Sequence, residues 1–70
     1  MHNQQLLFLN AAGDSMTLDV EIEVNGKTVI YISIALPDGR KAKPRANKNS
    51  GQVFFVYKGA SWYLHGTATN

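Results

Sequence analysis

Apolar and polar residues alternate strictly from Met16 to Glu23, in the order Met16-Thr17-Leu18-Asp19-Val20-Glu21-Ile22-Glu23. A period of two marks a strand with one buried and one wet face. The pattern therefore predicts that Met16, Leu18, Val20 and Ile22 face a core, while Thr17, Asp19, Glu21 and Glu23 face water. Asn25-Gly26 follows, the strongest short hairpin signal, and then a second strand-forming run from Lys27 to Leu36. A two-residue Asn25-Gly26 turn sets Glu21 opposite Ile30 and Asp19 opposite Ile32. A three-residue loop, Val24-Asn25-Gly26, sets Val20 opposite Ile30, Leu18 opposite Ile32, Met16 opposite Ile34 and Glu23 opposite Lys27. A one-residue slip exchanges the faces, so the hydrophobic pattern selects the second register, with Gly26 left-handed in a bulge.

The C-terminal third carries the same signals. Residues 52–57 and 61–65 flank Lys58-Gly59-Ala60. A tight turn at Gly59-Ala60 pairs Tyr57 with Trp62 and Phe55 with Leu64 on one face. It pairs Val56 with Tyr63 and Phe54 with His65 on the other. Both faces are largely apolar, which suits a central strand or a sheet covered by a partner. Leu6-Leu7-Phe8-Leu9 is too short for its period to decide between a buried strand and the middle of a helix over residues 3–12 ended by Gly13. Its strand-forming neighbours favour the strand.

Residues 37–51 break the pattern, with two prolines, two glycines and no large apolar side chain. Pro44 argues against a helix. An unstructured connection of this length in a small domain is usually functional or disordered.

Composition and size narrow the picture. The chain has 70 residues, too few for two ordinary domains. It has no cysteine, which excludes disulfides, thiolate metal sites and cysteine nucleophiles. No run reaches the ~18–20 apolar residues of a helical membrane span, and Met1-His2-Asn3-Gln4-Gln5 lacks the basic start of a signal peptide. Those features predict a cytoplasmic protein with no membrane role. A domain this small buries only roughly 60–65% of its unfolded surface. With neither disulfide nor metal, self-association is the remaining reinforcement, so a homodimer or higher oligomer is expected.

Charge is concentrated. Arg40, Lys41, Lys43, Arg45 and Lys48 give residues 39–48 a charge of +5, against −3 for the rest of the chain and +2 overall. Such a run commonly serves only to solvate a loop. It also suits phosphate contacts, where each neutralised phosphate releases counterions and arginine adds bidentate geometry. An acidic protein partner is the third reading. Among the aromatic residues, most must fill the core, and Trp62 and Tyr63 are the first candidates for an exposed stacking or interface surface.

Catalytic signals are poor. The carboxylates of Asp19, Glu21 and Glu23 are what strand alternation produces on a wet face. Gly26-Lys27-Thr28 imitates the end of a phosphate-binding loop, but Glu21 stands where that motif needs glycine and a strand follows where it needs a helix. His2 and His65 lie 63 positions apart without metal-ligand spacing, and His65 is expected to pack beside Phe54. Ser15, Ser33, Ser50 and Ser61 lack the surroundings of an activated nucleophile.

These readings converge on a single all-β domain over residues 1–70. It is expected as a small four- or five-stranded antiparallel sheet or partly open barrel of SH3 or OB size, with one long basic loop at 37–51. The function expected is that of a non-enzymatic binding module without cofactor or metal. Its basic loop would contact a polyanion, nucleic acid first. The competing class is a small protein-binding or inhibitory module that uses an aromatic sheet face or an open edge strand.

Overall fold

The computed structural model describes residues 2–67. Within them every regular element is a strand: β1 (His2–Asn10), β2 (Ser15–Asn25), β3 (Thr28–Ala35), β4 (Lys41–Ala42), β5 (Arg45–Ala46), β6 (Val53–Tyr57) and β7 (Ala60–Thr67). Among the described residues no helix is long and apolar enough to cross a membrane. All pairings are antiparallel, and the sheet order is β4-β3-β2-β1-β7-β6-β5. Apart from β4 and β5, consecutive strands therefore lie side by side, and β1 pairs with β7. The two ends of the order, β4 and β5, are separated only by Lys43 and Pro44. A sheet whose ends are joined by two residues must curl back on itself. The result is a partly open all-β barrel.

The five long strands are those the sequence pattern predicts, including β1, where helix and strand competed. The two additional short strands come from residues 37–51, expected as an unstructured loop. They act as one bent strand that closes the barrel. Pro44 has no N–H to donate, so no single ladder can run through it. The chain accordingly leaves β3 after β4 and joins β6 as β5.

The core lies inside the curl. Leu6 and Phe8 from β1, Leu18, Val20 and Ile22 from β2, Ile34 from β3 and Phe55 from β6 are buried. Met16, Tyr31, Leu36, Ala42, Tyr57, Trp62 and Leu64 pack against them. Burial of each large apolar side chain contributes roughly 1.5–3 kcal/mol. Phe8 and Phe55 meet edge-to-face across the interior, with ring centroids 5.0 Å apart and planes at 81°. The predicted inward set on β2 is the observed one.

Two expected registers are corrected. In the β2–β3 hairpin the turn is Gly26-Lys27, with Asn25 opposite Thr28, Val24 opposite Val29 and Glu23 opposite Ile30. Gly26 is left-handed as anticipated (φ 67), but at the first position of a two-residue turn, where a type II′ hairpin demands it. The rule against setting a carboxylate opposite an isoleucine failed because residues 23–30 extend beyond the core and are solvent-exposed on both faces. Further along, Glu21 pairs with Ser33 and Ile22 with Tyr31, leaving Ile32 as an extra residue. That bulge restores the phase, so Ile34 enters the core opposite Val20.

In the β6–β7 hairpin the turn is Lys58-Gly59, with φ 52 and 78, both positive as a type I′ turn requires. Phe55 then pairs with Trp62 and Phe54 with Tyr63. The shift from the expected pairing is even, so the faces survive and only the partners change. His65 does not meet Phe54. It is exposed, at a register shift where β1 pairs Leu7 with Gly66 and Phe8 with Leu64.

Candidate nucleic-acid interface

Residues 36–52 are held by local hydrogen bonds rather than left loose. Leu36 donates to the Arg40 carbonyl at 2.8 Å and Gly39 to the Leu36 carbonyl at 3.1 Å, forming a tight turn. Inside it Asp38 accepts from the Arg40 backbone N–H at 2.9 Å and from Arg40 Nε at 2.8 Å, with a second guanidinium nitrogen at 2.7 Å. The guanidinium, then the backbone N–H, hold the Asp38 carboxyl below its ordinary value, and Asp38 in turn raises the Arg40 pKa. Arg40 thus spends its charge on its own turn. At the other end Asn47 organises a second turn: its side-chain oxygen accepts from the Asn49 and Ser50 backbones at 2.8 and 3.2 Å. Lys48 stands exposed at that tip.

Between the turns, Lys41-Ala42-Lys43-Pro44-Arg45-Ala46 repeats basic and small residues with the period of a strand. Lys41, Lys43 and Arg45 are exposed, while Ala42 and Pro44 are half-buried. Alternate residues on a strand lie roughly 6–7 Å apart. The closing strand therefore presents a spaced row of cations to solvent. Lys41 is the least free of the three. It borders a polar depression lined also by Asn3, Asp19, Glu21 and Ser33, beside the acidic stripe of β2. Lys43 and Arg45, with Ala42, Pro44, Phe55 and Val56, line an open groove where the chain crosses from β3 to β6.

On the outer surface beside this groove, Arg45 pairs with Phe54 and Phe54 with Tyr63. The Phe54 and Tyr63 rings lie 5.9 Å apart at 36°, and Tyr63 is 41% exposed. One row thus carries a guanidinium and two outward aromatic rings. Of the two aromatic candidates from the sequence, Tyr63 faces outward. Trp62 packs against the core, its Nε1 buried without a hydrogen-bond partner.

The five basic candidates do not form one patch. Arg45 is brought to the aromatic row, Lys43 lines the groove beside it, Lys48 lies one turn beyond β5, Lys41 borders the depression that holds Asp19 and Glu21, and Arg40 is paired. Sequence reasoning missed Phe54 as an outward residue, although its alternation with Val53 and Phe55 was a usable signal. The basic and small alternation over 41–46 was likewise visible. Compared with protein-family models, curated proteins and solved structures, the chain matches none.

Proposed function

We propose that this domain is a non-catalytic binding module for single-stranded nucleic acid, working in the cytoplasm. The observation that carries this reading is the Arg45–Phe54–Tyr63 row, with Lys43 and Lys48 to either side along the chain. Aromatic rings on an open sheet face stack on bases and contribute roughly 1–3 kcal/mol per base, largely independent of sequence. Cations beside them neutralise phosphates. Rings lying against a sheet can reach only unstacked bases, so a single strand is preferred to a duplex.

The test is anisotropy titration with labelled single-stranded and duplex oligonucleotides near physiological salt. Three phosphate contacts, from Lys43, Arg45 and Lys48, give a log–log salt slope of about −2 for a single strand. Lys43→Ala with Arg45→Ala flattens that slope, whereas Arg40→Ala leaves it unchanged because Asp38 already neutralises that guanidinium. Tyr63→Ala weakens single-strand binding without altering the slope. No association tighter than about 100 μM, the weak end of ordinary non-specific binding, overturns the reading. That outcome promotes the protein-binding alternative, for which the unpaired sheet edges beside the groove are the supporting observation.

A further inference from the structure

The bend at Pro44 leaves two sheet edges incompletely covered. β4 pairs with β3 only at Ile34 and Ala35, so among the described residues 28–33 of β3 have no strand on that side. β5 pairs with β6 only at Val53 and Phe54, which frees residues 55–57. The two edges differ in character. The β6 edge is three residues long and lies beside Lys43 and Pro44, which discourage strand addition. The β3 edge is twice as long and reads Thr28-Val29-Ile30-Tyr31-Ile32-Ser33, without charge, proline or glycine. The usual guards against edge pairing reach only its far half, as the bulge at Ile32 and the Pro44-Arg45-Ala46 segment beside Tyr31, and leave Thr28-Val29-Ile30 open. Val24, Val29 and Ile30 around it are 53%, 42% and 45% exposed.

We propose that the β3 edge is the contact by which two copies of this chain associate, β3 lying antiparallel to β3 about a two-fold axis at Ile30. Two features favour a second copy as occupant. The stretch is self-complementary: pairing centred on Ile30 sets Ile30 against itself and Val29 against Tyr31 of the other copy. The charges also agree. Antiparallel pairing carries the Lys27 end of each hairpin to the Ser33 end of the other, where Ser33 donates to Glu21 at 3.3 Å. The one like-charge approach is between the two Glu23 side chains, each one strand behind Ile30. Three strand spacings, about 14 Å, separate them, beyond the ~8 Å screening length of physiological salt.

The test is sedimentation equilibrium of the full chain across the micromolar range. The expected particle has twice the 7.7 kDa mass of the chain. Ile30→Lys puts two cations together at the axis and gives a monomer. Thr28→Lys, also at an exposed position, weakens association at least tenfold. Circular dichroism spectra show both variants folded, because neither side chain is buried in the single chain, and their melting temperatures lose the concentration dependence that the parent shows. Val56→Lys, on the β6 edge, leaves the dimer intact. A parent chain that stays monomeric at high micromolar concentration overturns the proposal. So does a dimer that survives Ile30→Lys and Thr28→Lys, or one dissolved by Val56→Lys alone. Oligonucleotide binding is not read in this experiment, so it stands or falls apart from the function proposed above.

Discussion

Lys58 is the one non-glycine with positive φ among the described residues, at 52° in the first position of the β6–β7 turn. A β-carbon in the left-handed region costs roughly 1–2 kcal/mol for an ordinary residue. Asparagine tolerates that region better and is the preferred first residue of a type I′ turn before glycine. Lys58→Asn therefore recovers about 1 kcal/mol of backbone strain. It also removes the Lys58 ammonium, which lies 5.4 Å from the centre of the Tyr57 ring. At an exposed site that cation–π contact contributes about 0.5 kcal/mol. The net gain is then about 0.5 kcal/mol. With an unfolding entropy near 2.1 cal/mol/K per residue, it raises the melting temperature by about 3 °C.

The two contributions separate in a double-mutant cycle with Tyr57→Leu. In the Tyr57→Leu background the cation–π contact is already gone. There Lys58→Asn yields the whole ~1 kcal/mol, about 6–7 °C by the same entropy. Thermal melts followed by circular dichroism or calorimetry on all four proteins measure this directly. No rise in melting temperature in that background would refute the reasoning, because it would show that the positive φ stores no strain.

Four further outcomes follow from the same structure. Phe8→Ala costs about 3–5 kcal/mol, comparable to the total stability of a domain this size, roughly 3–10 kcal/mol, so urea titration finds it largely unfolded. The milder Phe8→Leu and Phe55→Leu pair shows a coupling of about 0.5–1.5 kcal/mol for the edge-to-face contact. Trp62→Phe removes the buried unpaired N–H while keeping a ring, and costs under about 1 kcal/mol, whereas Trp62→Ala costs about 3 kcal/mol or more. Equal losses in the two variants would contradict this account of Nε1. Asp38 has its carboxyl lowered in the folded state, chiefly by the Arg40 guanidinium. Its contribution is therefore present above the unfolded value and is lost as pH falls through the lower folded value. Urea midpoints taken from about pH 5 down to about pH 2 fall less steeply in Asp38→Asn than in the parent. An NMR titration placing Asp38 at or above 3.8, the ordinary value, would remove the basis for that expectation.

Local pattern alone determined a good deal of this molecule. The alternation over 16–23 named the buried face of β2, because a period of two admits only one way to bury four apolar residues. The strand-forming runs on either side of Asn25-Gly26 and Lys58-Gly59 located both hairpins, since left-handed glycine is needed wherever the chain reverses so tightly. The two apolar faces of residues 53–57 and 61–65 suggested a central strand or a sheet covered by a partner, and of the rings there only Trp62 and Tyr63 were singled out for the surface, of which Tyr63 is exposed. The concentration of cations between residues 39 and 48 was equally plain.

Register and closure were decided elsewhere. Turn chemistry at Gly26-Lys27 and Lys58-Gly59 set pairings that hydrophobic matching could not choose, because the hairpin ends lie outside the core and match nothing. The bulge at Ile32 exists only because Ile34 must reach Val20 after such a start. Residues 41–46 carry a period of two, yet two-residue strands have no stability of their own. They form because β3 and β6 offer unpaired edges on either side of a chain that proline forces to bend. That closure sorts the cations, setting Arg45 in the Phe54–Tyr63 row, Lys43 on the groove beside it and Lys41 at the depression that holds Asp19 and Glu21. No local pattern contains that sorting, since it depends on which distant strands the closing segment finds beside it.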